Sequence, residues 1–290
     1  MMAEQSLNYI NQNIERLNDL TIKSASMKAF QTVSDDPADA TAAMTIKSSI
    51  QSGQNYLSNA NDINSWMSMS DQAFSDMSKL LINAQTKVES GLTDTMSAEE
   101  RQNSLAPELD TMLQEMLDLS NSTYMDRYIF SGYQVNTKPF SLSTTDPNTV
   151  NYNGDGGLMQ LDIGTGQTMT MNINNSAVFT STFSAIIRAR NALQTNNLTE
   201  LNASLTDIQT SINSVNDLTS TNGARQRQVK SVINHLEKSN LTLKSLLSKK
   251  EDANMAEVAV MLANQQTVYE AVLDVGKRAI SLVNLFDILQ

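Results

Sequence analysis

The chain has 290 residues and a formal net charge of −11 at pH 7, with 40% hydrophobic and only 5% aromatic residues. That acidity excludes a general nucleic-acid binder, and the absence of Cys excludes disulfides, thiol catalysis and thiolate metal sites. No run of about 18 apolar residues is present to span a membrane as a helix, and the opening residues do not read as a signal peptide.

Helical periodicity dominates from the start. Leu7, Ile10, Ile14 and Leu17 follow 3-4-3 spacing, which predicts a first amphipathic helix. In "SDDPADA" (34–40) Asp36 is placed to cap the next helix, with Pro37 at its first position. Ala60, Ile63, Met67, Ser70, Phe74, Met77, Leu81, Ala84 and Val88 then hold a 3-4 alternation over four heptads, the pattern of a long helix packed at a shallow angle. Residues 91–97 read as a loop, and Ser97 with Glu100 forms a capping box. Leu105, Leu109, Met112, Met116 and Leu119 repeat the seam.

The text changes at about residue 139. Five of the ten Gly fall between Gly154 and Gly166, and short alternating runs, "LMQLDI" and "TMTMNI", flank "GTGQ". This predicts a small β region with hairpin turns, and residues 140–182 are expected to be separable from the helical core. The helical pattern returns in Leu198, Leu201, Leu205, Ile208, Ile212 and Val215, and again in Val229, Val232, Leu236, Leu243 and Leu246. The last run is Val258, Leu262, Gln265, Tyr269, Val272, Gly276, Ala279, Val283, Phe286 and Leu289, with Leu282 in the apolar crowd at its end.

The fold class these patterns predict is mainly α: a long coiled-coil helical bundle built from both chain ends, with a small inserted β domain. The expected boundaries are 1–33 with 251–290 for a terminal coiled-coil layer, 34–138 with 183–250 for a helical bundle domain, and 139–182 for the inserted β-rich domain. Residues 1–120 carry 7 basic and 17 acidic groups, whereas 225–250 carry 7 basic groups against one. That asymmetry predicts that the basic stretch lies against the acidic helices of the 60–120 region.

No constellation for catalysis, cofactor or metal emerges. "GDGG" and "GTG" lack the Lys-Ser/Thr and the following helix of a nucleotide loop. Asp155 with Asp162 is too sparse for calcium, and His235 stands alone on a basic helix. The Met residues at seam positions, such as Met67, Met77, Met112 and Met116, read as core filler, as does Trp66. The chain is read as a non-enzyme.

Four stretches, taken in order with the heptads, resemble the bacterial flagellin superfamily, in wording closer to its hook–filament junction members than to filament flagellins. They are "SDDPADA" (34–40), "YIFSGYQVNTKPF" (128–140), "NGAR" (222–225), which is read as opening the return helix, and "EDANMAEVAVMLANQQTVYEAVL" (251–273). There are departures. Met27, Lys28 and Ala29 stand where the family has Gly-Lys-Arg, and Asn254 stands where it has Asp. The opening "MMAEQSL" also lacks the family's usual first residues, so the resemblance leads one to expect that some are missing.

The resemblance implies a secreted structural component of the flagellum, exported by the flagellar type III system, that forms a ring at the hook–filament junction. It implies hook-associated protein 1, flagellin, further copies of the chain and an export chaperone as partners, with neither nucleic acid nor membrane among them. Filament flagellin stays open as an alternative, as does a secreted helical adhesin or scaffold. The assembly interface expected from this resemblance and the terminal seams comprises Leu7, Ile10, Ile14, Leu17, Val258, Leu262, Tyr269, Val272, Leu282, Val283, Phe286 and Leu289.

Overall fold

A computed structural model describes residues 2–288, with side chains described for residue 5 and residues 7–277. The elements in chain order are α1 (Met2–Ser26), α2 (Pro37–Gly91), α3 (Ala98–Glu100), a π-helical turn (Arg101–Leu105), α4 (Ala106–Ser120), strands β1 to β6 between Thr123 and Thr170, α5 (Ser176–Gln194), α6 (Leu198–Glu251) and α7 (Met255–Ile288). By compactness the chain forms two units, 1–53 with 238–290 and 54–237, and α2 and α6 contribute to both.

The second unit holds the main core. Every member of the long α2 seam from Ala60 to Val88 is buried. Leu109, Leu113 and Met116 of α4, Ile186 and Leu193 of α5, and Leu201, Ile208 and Val215 of α6 join them. Trp66 lies inside the core, and Tyr124 meets it edge-on at 6.0 Å between ring centres. Met67, Met77, Met112 and Met116 are all buried, as core filler should be.

The local signals explain where the helices begin and turn. Asp36 Oδ1 accepts from the Asp39 amide at 3.0 Å, capping α2 with Pro37 at its first position. Ser97 and Glu100 form the reciprocal capping box. Pro107 has no N–H to offer to the preceding turn, and the helix ahead of it widens to the π-helical 101–105. Arg101, buried in that turn, donates to Gly91 O at 2.6 Å, Thr93 O at 2.9 Å and Asn196 Oδ1 at 3.1 Å. It thus satisfies carbonyls at the C-terminal end of α2, where a cation is favoured.

Residues 123–170 form three separate antiparallel hairpins: β1–β2 (Thr123–Tyr124, Arg127–Tyr128), β3–β4 (Phe140–Leu142, Val150–Tyr152) and β5–β6 (Gln160–Gly164, Gln167–Thr170). The expected separability of 140–182 meets a different packing. Phe140 is completely buried, with ring centres 5.1 Å from Tyr152, 5.2 Å from Phe179 and 5.5 Å from Phe183. Ile163 and Met169 of β5–β6 pack with Ala60, Ile63, Met67 and Val229 of α2 and α6, and Asn59 Nδ2 donates to Asp162 O at 2.8 Å. Each hairpin is too small to bury a face by itself, so the helices supply the other half of the core.

Two further expectations differ. Asn222–Arg225 do not open a helix but lie inside α6. Asn222 is fully buried there and donates to Met67 O at 2.8 Å, and a Cβ on Gly223 would meet only Arg227 Nη1, at 3.7 Å. The start of the basic stretch does lie beside the 60–120 region, Val229 packing with Ala60, Ile63 and Met67, but the charge pairing expected between them is absent among the described residues. Lys230, Lys238 and Lys244 are exposed without a carboxylate partner, and the ion pair from this stretch runs from Lys250 to Asp39 at 2.8 Å.

In the 128–140 stretch, Ile129 and Phe130 enter the core and Gly132 turns the chain out of it. Gly132 sits at φ +74°, and a Cβ there would collide with Asp155 Oδ1, so only Gly fits. Asp155 Oδ1 in turn accepts from the Tyr133 and Gly157 amides at 2.8 and 2.9 Å.

Candidate assembly surface

The first unit has a different build. α1 lies antiparallel against α7, Gln265 Nε2 donating to Asn13 Oδ1 at 2.8 Å and Ile10 reaching the Cα side of Gly276, whose missing Cβ would stand 3.4 Å from Ile10 Cδ1. Among the described side chains of α1 none is fully buried. A two-helix layer can cover each helix on one side only, and its seam is open along both edges.

At the C-terminus of α1, Met27 takes φ +59°, and its amide donates to Lys23 O at 3.0 Å. This is the left-handed helix end that Gly fills without strain. That accounts for the family's Gly at this position; Met27 holds the same conformation with a side chain, and nothing in the structure explains the departure. Asp35 staples the connector that follows: its carboxylate accepts from the Gln31 and Thr32 amides at 2.8 and 2.9 Å. The Thr32 amide first, then the Gln31 amide, hold that carboxyl below its ordinary value.

The connectors on the two sides of the layer meet. Ala29 N donates to Glu251 O at 2.8 Å, and Ala253 N to Met27 O at 2.9 Å, with Lys28 opposite Asp252 in an antiparallel bridge. The Glu251 carboxylate, 8% exposed, takes Lys28 Nζ at 2.6 Å and Lys47 Nζ at 2.7 Å. Those contacts, Lys28 first, hold it below the usual glutamate range. Lys28 of the first connector and Glu251 of "EDAN" are thus the two halves of one contact.

Of the expected interface residues, Val258 is buried, and Ile10, Leu17, Leu262, Tyr269 and Val272 are half-buried. Leu7 and Ile14 are exposed. The side chains of Leu282, Val283 and Phe286, and Leu289 altogether, lie outside the described residues.

The structure adds a stripe that the sequence reading missed. Met261, Val268, Ala271 and Val275 keep the same 3-4 spacing about 100° around α7 from the inner seam, with the polar Asn264 at the one remaining position. Val268 is 45% and Val275 64% exposed, and with Tyr9 they line an open apolar groove. Its signal was present as a second heptad in "VMLANQQTVYEAVLDV", masked by the stronger first. A helix with two adjacent heptad stripes presents surface for two helical neighbours, and apolar surface left in water favours being covered. Among the described residues that line the groove, Tyr9 alone is ionisable and the rest are apolar. Among the described residues no helix is long and apolar enough to cross a membrane, and no cluster of His, Cys, Asp and Glu could hold a metal ion.

Residues 1–135 match the family model of the bacterial flagellin N-terminal helical region. The chain is 25% identical over 182 residues to flagellar hook-associated protein 3 of Salmonella typhimurium, covering 62% of this chain and 56% of that one. It is 30% identical over 109 residues to flagellar hook-associated protein 3 of Escherichia coli, covering 37% of this chain and 34% of that one. The matched stretches thus span about half or less of these curated relatives. Among solved structures, the fold is similar to hook-associated protein 3 of Legionella pneumophila, with a TM-score of 0.64 at 16% identity over 71% of this chain and 98% of that one. It is also similar to FlgL of Bacillus cereus, with a TM-score of 0.62 at 18% identity over 70% and 99%.

Proposed function

We propose that the chain is a member of the flagellin superfamily, a structural subunit of the bacterial flagellum that acts as a hook–filament junction protein. The observation that carries the reading is the α1–α7 layer. It is long, its seams keep heptad spacing, and its outer stripe is left to solvent in a single copy. Ordering backbone costs about 1–2 kcal/mol per residue, and a large apolar side chain returns about 1.5–3 kcal/mol only when fully buried. Cover from neighbouring copies supplies the missing burial, so the terminal layer of residues 1–33 and 251–290 is the ring-forming part.

In this reading the protein works without catalysis, outside the cell, between hook-associated protein 1 and flagellin. Before export the same stripe is held by a chaperone as an amphipathic helix in a groove. Immunolabelling of native flagella tests the placement: label confined to the hook–filament boundary is expected. Label along the whole filament would make the chain a filament flagellin, and no label on flagella would leave a helical scaffold. Val268→Glu with Val275→Glu should abolish incorporation while the 54–237 unit keeps its melting transition. Normal incorporation of that variant would remove the α7 stripe from the interface.

A further inference from the structure

The joint between the two connectors has a build that the assembly reading does not require. Two exposed segments, one from each end of the chain, are held together by two amide hydrogen bonds, from Ala29 to Glu251 O and from Ala253 to Met27 O. Backbone bonds on exposed segments compete with water and contribute little net stability. What distinguishes the joint is one nearly buried carboxylate, Glu251, whose two oxygens are each taken by a lysine from a different element: Lys28 from the α1–α2 connector and Lys47 from α2.

The other charged groups packed here are Lys250, which pairs with Asp39 of α2, with Asp36 nearby, and Asp252, which Ser248 contacts. None of these replaces Glu251 between the two lysines. Without its charge, Lys28 and Lys47 become like charges brought to the same point.

We infer that this joint is a latch worked by the Glu251 charge: neutralising that one carboxylate opens both connectors together and frees α1 and α7, still paired, from the α2 and α6 segments of the same unit. The pairing survives because Gln265–Asn13 and the Ile10–Gly276 contact lie along the helices, away from the joint. The direction with pH follows from the lysines favouring the charged form. Glu251 is held below its ordinary value, so its contribution is complete above that ordinary value and is lost as pH falls through the lower folded value.

Hydrogen exchange on the full chain tests this, and the result is independent of whether the protein sits on a flagellum. At neutral pH, Glu251→Gln should raise exchange at the Ala29 and Ala253 amides in parallel by about tenfold or more, where tenfold corresponds to about 1.4 kcal/mol. Exchange within 60–90 and in the middle of α1 and α7 should stay unchanged. Lys28→Met combined with Lys47→Met should open the same two amides with the carboxylate left in place. In the unaltered chain, after correction for the intrinsic rate, both should open together as pH falls below the ordinary glutamate value. The latch is overturned if the two amides respond separately or not at all, if α1 and α7 lose protection with them, or if 60–90 does.

Discussion

Truncating Phe140 to Ala decides whether the hairpin segment belongs to the core. The ring is completely buried between Tyr152, Phe179 and Phe183, in a cluster that Phe74 and Phe130 extend. The backbone bonds that Phe140 makes with Asn121, at 2.9 and 3.0 Å, do not involve the ring and remain in the Ala variant. The loss is therefore transfer free energy plus a cavity, about 3–5 kcal/mol for a Phe→Ala change in a core. In a unit of this size 1 kcal/mol moves the midpoint by about 2–4 °C, so Tm of the main transition should fall by about 6–20 °C. Phe140→Leu, which refills part of the space, should lose clearly less. Circular dichroism at a helical wavelength, on the full chain, is the assay, because the claim is that helices sense a residue outside them. A shift below about 2 °C, under the smallest cavity cost, would mean that 140–182 is the separable module its composition suggests and that the packing argument fails.

Other substitutions test single contacts. Met27→Gly relieves a left-handed residue that costs about 1–2 kcal/mol with a side chain. Part of that is returned to the unfolded chain, so slower exchange in the last turn of α1 is expected, and faster exchange would contradict the strain. Gly132→Ala forces a Cβ into Asp155 Oδ1 at positive φ and should cost about 1–3 kcal/mol by chemical denaturation; a neutral result would refute the tight turn. Arg101→Met leaves the carbonyls of Gly91 and Thr93 without their donor and should cost about 1–3 kcal/mol. Arg101→Lys should rescue it only in part, since one ammonium cannot reproduce the fork. Asp36→Ala removes the α2 cap and should cost about 0.5–2 kcal/mol, read as fraying of residues 37–41 by hydrogen exchange.

Features that depend on neighbours a few positions away were legible in the chain itself. Heptad spacing places a side chain on a helix face whatever the partner, so the Ala60–Val88 seam was legible and is buried throughout. The Asp36 and Ser97–Glu100 caps and the Thr165–Gly166 turn region are likewise local chemistry, and each sits where its residues suggest. Tertiary structure alone decided the rest, because those outcomes balance a local preference against contacts far along the chain. Asn222–Arg225 reads as the start of a helix, yet Gly inside a helix costs only about 1 kcal/mol, and burying Asn222 against Met67 and Val229 against the α2 seam carries α6 straight through Gly223. The Gly-rich text around 154–166 announces turns but is silent on Phe140 reaching Phe179 and Phe183. Glu251 is one charge among many until folding sets it between Lys28 and Lys47, more than 200 residues away in the chain. The outer stripe of α7 was written in the sequence too, but periodicity shows only that a helix has an apolar face. Which face α1 covers, and which stays open to solvent in a single copy, is settled by the pairing of the two chain ends.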